Sequence, residues 1–178
     1  MTRVIAGEHK GLNLHNPPGK SIRPSTDRTK EWIYSVLYDV SELTVLDIFC
    51  GAGNLGIEAL SRGASRCTFV DSASKAVKLT TENIALTEYE DRTQVIRLDA
   101  LKFLKEAGAL FDLIVADPPY EYEDIEKLIP LAVDRLTEPG RFFLETSLPI
   151  TGTLPDHITE IRQESMGGTV VTVYGELE

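Results

Sequence analysis

Cysteine is almost absent: of 178 residues only Cys50 and Cys67 carry thiols. Both lie inside apolar, strand-like runs, so buried thiols of a reducing compartment are expected, and neither a disulfide nor a metal site is. Long apolar runs are missing as well. No stretch approaches the roughly 20 consecutive apolar residues of a membrane span, and Met1 to Glu8 lack the apolar segment of a secretion signal. A cytoplasmic protein without membrane attachment is the expectation. Internal repeats, low-complexity tracts and long linkers are lacking too, which leaves one domain with a short appendage, large enough to cover both faces of a sheet.

Positive charge is also scarce. Lys and Arg number 18 against 28 Asp and Glu, a net charge of −10, which taken whole argues against a nucleic-acid partner. The distribution says otherwise. Residues 1–30 hold Arg3, Lys10, Lys20, Arg23, Arg28 and Lys30 against Glu8 and Asp27, or +4, so the remainder carries −14. A basic arm on an acidic body can localise RNA at one edge, although a solvated surface explains the same cations.

What is present is an alternation. Arg3-Val4-Ile5-Ala6 and Leu12-Asn13-Leu14 flank a glycine-containing loop and predict a small hairpin, an extension over residues 1–22. Trp32, Ile33, Val36 and Leu37 follow at helical spacing, with Trp32 a core anchor or a platform for a base. The main domain is read over 23–178. From residue 44, strands are predicted at 44–49, 67–71, 93–98, 111–116 and 140–145, and helices at 54–62, 73–86, 100–107 and 122–136. Around Met166-Gly167-Gly168, Ile158–Ile161 and Thr169–Tyr174 predict a closing antiparallel pair. The result is an α/β fold with a mostly parallel sheet.

Two stretches carry chemistry. In Val45-Leu46-Asp47-Ile48-Phe49-Cys50-Gly51-Ala52-Gly53-Asn54-Leu55-Gly56, three glycines with G-x-G-x-x-G spacing join a strand to a helix, a turn that lets backbone approach a nucleoside ligand. Asp71, twenty positions beyond Gly51, can hold ribose hydroxyls. Asp47 repels a pyrophosphate but suits a cofactor with a cationic amino-acid end, such as S-adenosylmethionine. A purely structural glycine turn is the alternative.

The second stretch, Asp117-Pro118-Pro119-Tyr120, ends the buried strand Phe111–Ala116. Paired prolines hold a rigid turn with outward carbonyls. An exocyclic amine on a base is a poor nucleophile until acceptors orient its hydrogens; Asp117 and the Pro118 carbonyl can do this while Tyr120 stacks on the ring. The motif can equally be a mere strand-ending turn. Asp99 or its neighbour Ala100 can meet an adenine amine, or Asp99 can cap the next helix. Cytosine C5 chemistry needs a cysteine nucleophile, and neither thiol lies near the prolines, so transfer to nitrogen is favoured.

These residues resemble the class I S-adenosylmethionine-dependent methyltransferases, and more closely the RsmD family of 16S rRNA (guanine-N2) methyltransferases. The resemblance rests on Arg3-Val4-Ile5-Ala6-Gly7 with Lys10-Gly11, on Arg23-Pro24-Ser25-Thr26-Asp27-Arg28 with Lys30-Glu31, and on the glycine loop paired with Asp117-Pro118-Pro119-Tyr120. It implies a Rossmann-like sheet and methylation of a guanine N2 in 16S rRNA, free or in the assembling small subunit, by a monomer. It further implies that Asp47, Phe49, Gly51, Gly53, Asn54, Asp71, Asp99 and Ala100 bind S-adenosylmethionine. By the same resemblance Asp117, Pro118 and Tyr120 would hold the flipped guanine, and Arg3, Lys10, Arg23, Arg28 and Lys30 would contact RNA. Ser25 and Trp32 depart from the family pattern, and the tail around Arg162–Gly168 is less basic than the family's. An adenine-N6 methyltransferase, a non-catalytic RNA-binding module and a dinucleotide oxidoreductase are the competing readings.

Overall fold

In a computed structural model, which describes residues 2–17 and 25–176, the apolar runs beyond residue 44 become the strands of one sheet. Strands β3 (Thr44–Ile48), β4 (Arg66–Asp71), β5 (Thr93–Arg97), β6 (Phe111–Ala116) and β7 (Leu136–Thr146) are mutually parallel. Strands β8 (Ile158–Met166) and β9 (Thr169–Glu176) close the sheet as an antiparallel hairpin. The order is β5-β4-β3-β6-β7-β9-β8. The chain therefore builds outward from β3 in one direction, returns, and continues from β6 in the other. Sheets of this kind bind ligands where the order reverses, beyond the carboxyl ends of the strands.

Alternation along each strand divides the core. Val45, Leu113, Val115 and Phe143 face one layer, with Ile33 and Tyr34 of helix α1 (Ser25–Leu37), Ile57 and Leu60 of α2 (Asn54–Ser61) and Ile84 of α3 (Ser74–Ile84). Leu46, Ile48, Ile114, Ala116, Phe142 and Leu144 face the other, with Leu104 of α4 (Ala100–Glu106) and Leu128 and Ile129 of α5 (Ile125–Val133). Burial on both faces explains why these strands read as near-continuous apolar runs.

Four elements differ most from expectation. The helix read at 122–136 begins only at Ile125, after a turn in which the Tyr122 N–H donates to the Pro119 carbonyl at 2.9 Å. The strand read at 140–145 starts at Leu136, bent by a register shift opposite Phe111–Leu113. The tail strands are longer than read, since each covers the other's hydrogen-bonding groups. The predicted hairpin exists as β1 (Thr2–Arg3) and β2 (Asn13–Leu14), with Val4 and Leu14 packed into the α1–α3 side of the core. Among the described residues no helix is long and apolar enough to cross a membrane.

Candidate active site

The glycine loop leaves β3 at its carboxyl end. Gly51 and Gly53 have φ of +57° and +77°, where a side chain would strain the backbone. Gly56 is required for another reason: a Cβ there would stand 2.4 Å from Phe69 Cε1 and 2.6 Å from Cys67 Sγ, so its absence lets α2 pack against β4. Phe49 adopts φ +58° without being glycine, and its ring is held edge-on to Tyr122 at 4.8 Å. From behind, α3 supports the loop. Thr80 Oγ1 donates to the Gly51 carbonyl at 3.0 Å and Asn83 Nδ2 to the Ala52 carbonyl at 2.8 Å.

Two carboxylates hold the loop from inside. Asp47 is buried and accepts the Gly56 N–H at 2.9 Å. Burial raises its pKa to about 7; the Gly56 bond opposes this, and nearby Asp117 and Asp71 add to it. Asp71 accepts the Gly51 N–H at 3.1 Å and the Ala73 N–H at 2.8 Å, leaving second lone pairs on both oxygens for a ribose. Asn54, expected at the cofactor, opens α2 with its Oδ1 buried and unpartnered. Burial pushes the Cys50 thiol up, which suits a lining residue and not a nucleophile.

Asp117-Pro118-Pro119-Tyr120 leaves β6, the neighbour of β3. Ile48 pairs with Ala116, so the two loops emerge side by side from one rim. Pro118 is buried; Asp117 and Tyr120 are exposed. They line a cleft of about 180 Å³ together with Glu145 at the end of β7 and with Leu148 and Ile150 of the segment after it. That volume falls below the ~300 Å³ of pockets that swallow a drug-sized ligand, and suits one planar ring entering from solvent. Tyr122 and Glu145 went unread in the sequence. Tyr122 stood close enough to the prolines to be found, whereas Glu145 becomes visible only when β7 is placed beside β6.

Asp99 caps α4, accepting the Lys102 N–H at 3.0 Å; it and Ala100 stand at the same rim, at the end of β5. The basic arm divides. Arg3 and Arg28 are exposed, Arg3 bonded to Asp27 at 3.3 Å. Lys10 is exposed on the turn that docks on Ser61 through Glu8 and His9, at the end of α2 away from the glycine loop. Arg23 lies outside the described residues. Lys30 is a correction: it is fully buried, donates to the Arg3 carbonyl and sits 3.5 Å from Glu58, so it cannot contact RNA. It precedes Ile33 and Tyr34 by three and four positions, which places it on the inward face of α1. Burial lowers its pKa, while Glu58 pulls the other way. Glu58 also receives the Ile5 and Ala6 N–H groups at 2.8 and 3.0 Å and Arg62 Nε at 2.8 Å.

A doubly wound sheet closed by an antiparallel pair, with a glycine loop and an Asp-Pro-Pro-Tyr turn at its reversal point, is the fold of the class I methyltransferases. Residues 2–175 match the family described as Conserved hypothetical protein 95. YlbH of Bacillus subtilis (strain 168) is 36% identical, over 97% of each chain. Ribosomal RNA small subunit methyltransferase D of Escherichia coli (strain K12) is 30% identical, over 82% of this chain and 75% of its own. The solved structure of YhhF from Escherichia coli superposes with a TM-score of 0.84 at 27% identity, covering 97% of this chain and 96% of that one. The chain belongs to this family, the RsmD family.

Proposed function

We propose that this protein methylates the exocyclic N2 amine of a guanine in small-subunit ribosomal RNA, using S-adenosylmethionine, as a cytoplasmic monomer. The observation that carries the reading is the pairing of Ile48 with Ala116, which sets a nucleoside-binding loop beside an amine-orienting turn. The name of the Escherichia coli relative supports small-subunit RNA as the substrate.

The residues present suit this cofactor. Asp47, Asp71 and Asp117 stand close enough that ionising one disfavours another, an environment that repels a pyrophosphate and favours a cation. The unpartnered Asn54 Oδ1 adds an acceptor for an ammonium group. Gly51 and Gly53 would pass under the amino-acid end, Asp71 would take the ribose hydroxyls, Phe49 would flank the nucleoside, and Asp99 with Ala100 would meet the adenine. When bound, the cofactor supplies an electrophilic methyl group on a positively charged sulfur.

The protein's part is to present the nucleophile. Asp117 and the Pro118 carbonyl accept the two amine hydrogens, which turns the nitrogen lone pair toward the glycine loop, and Tyr120 stacks on the ring. Asp117 is exposed, so the proton the amine sheds after transfer can pass to water. Drawing a base into the cleft costs a few kcal/mol, least for an unpaired one, so a loop nucleotide is expected. Incubation with labelled cofactor and under-methylated small-subunit particles, then nuclease digestion and mass spectrometry, tests the reading: N2-methylguanine supports it. N6-methyladenine, or no label where a known enzyme labels the same RNA, refutes it.

A further inference from the structure

Ala116 of β6 pairs with Leu144 of β7, and both are buried on the α4–α5 side of the sheet. Asp117 and Glu145 each follow by one residue. Neighbouring strands run about 4.8 Å apart, so the two residues stand beside each other at the carboxyl ends of adjacent strands. Both line the cleft. Among the other lining residues, Pro118, Tyr120, Leu148 and Ile150 offer apolar surface. Tyr120 and Leu148 are 54% and 72% exposed.

Two acceptors side by side select a base that has two donors side by side. On guanine the N2 amine is flanked by the N1–H, so two neighbouring acceptors are both satisfied. The amine of adenine is flanked by N1 and N7, and that of cytosine by N3, all of which bear lone pairs; a carboxylate facing them is repelled. We infer that Glu145 reads the guanine, accepting its N1–H while Asp117 holds the N2 amine. This rests on the guanine-N2 reading of the same cleft. Glu145 is then a specificity residue in contact with substrate, distinct from Asp117, which orients the nucleophile.

2-Aminopurine separates the two roles, because it keeps the N2 amine but has a bare N1. Small-subunit particles are rebuilt with either guanine or 2-aminopurine at the methylated position, and kcat/KM is measured for the wild type and for E145Q. The wild type is expected to prefer guanine by roughly 10²-fold or more, as sites built around a buried hydrogen bond do. In E145Q the amide can donate to the bare N1, so the preference should shrink at least tenfold while cofactor affinity is unchanged. A wild type that treats the two bases alike overturns the assignment whether or not E145Q folds. So does a preference that E145Q leaves intact, with both substrates slowed equally. A wild type that leaves guanine itself unmethylated refutes the guanine-N2 reading as well, and is thereby distinguishable from failure of the Glu145 assignment alone.

Discussion

Asp117 and Asp47 are both acidic residues at the ends of neighbouring strands, yet their surroundings give them different work. Asp117 is exposed beside a rigid turn, so its loss should cost chemistry and not folding. D117A is expected to lower kcat by roughly 10²–10⁴-fold, the range for a positioned group that handles a transferring proton, with cofactor affinity retained by calorimetry. Unchanged methylation in cells carrying D117A would favour a non-catalytic module. Asp47 is buried, with its pKa pushed up to about 7. The folded protein thus holds this proton more tightly than the unfolded chain, whose aspartates titrate near 3.9. The stabilisation is complete below about pH 4 and is lost as pH rises through 7, by about 4 kcal/mol. D47N keeps an acceptor for the Gly56 N–H, so urea midpoints measured across that window should lose this component of the slope. A cationic cofactor favours the charged carboxylate, so its binding should release a proton near neutral pH, visible as a heat that depends on the buffer.

Helix α2 joins the site to the basic arm. Its first turn carries the glycine loop, its packing on β4 depends on Gly56, and its middle presents Glu58 to Ile5, Ala6, Lys30 and Arg62. Removing one partner of a buried charged pair leaves the other uncompensated, at about 3–5 kcal/mol. E58A should therefore lower the denaturation midpoint and strip hydrogen-exchange protection from the Ile5 and Ala6 amides. Protection that survives E58A would mean that Val4, Leu14 and the bonds of Glu8 and His9 to Ser61 seat the hairpin without Glu58. G56A tests the same helix from its other side: the added methyl meets Phe69 and Cys67, and an overpacked contact costs about 1–3 kcal/mol.

At the scale of the molecule the charge is −10, while the proposed substrate is polyanionic. Burial of Lys30 against Glu58 removes one cation from the set proposed to face RNA, and Lys10 stands at the far end of α2, which leaves Arg3 and Arg28 as the candidates among the described residues. R28Q is expected to raise KM for RNA, leave cofactor affinity alone and make the salt dependence shallower by about one phosphate contact. A slope and KM equal to the wild type's would place the RNA elsewhere. So small a set of cations also fits a substrate presented within an assembling particle, where other components supply contacts.

Local pattern was enough for the elements and for the residues at their ends. Apolar runs between turn residues specified β3 to β6, the glycine spacing specified the turn before α2, and the paired prolines specified a stop after β6, because each depends on near neighbours in the chain. Which ends meet was decided only by folding. The return of β6 to the free side of β3, which makes one site of two loops, follows from burying both faces of the sheet at once. Likewise Lys30 became an internal partner and Glu145 part of the cleft through packing against segments remote in sequence: spacing from Ile33 and Tyr34 puts Lys30 on the inward face of α1, but only the fold supplies Glu58 as its partner.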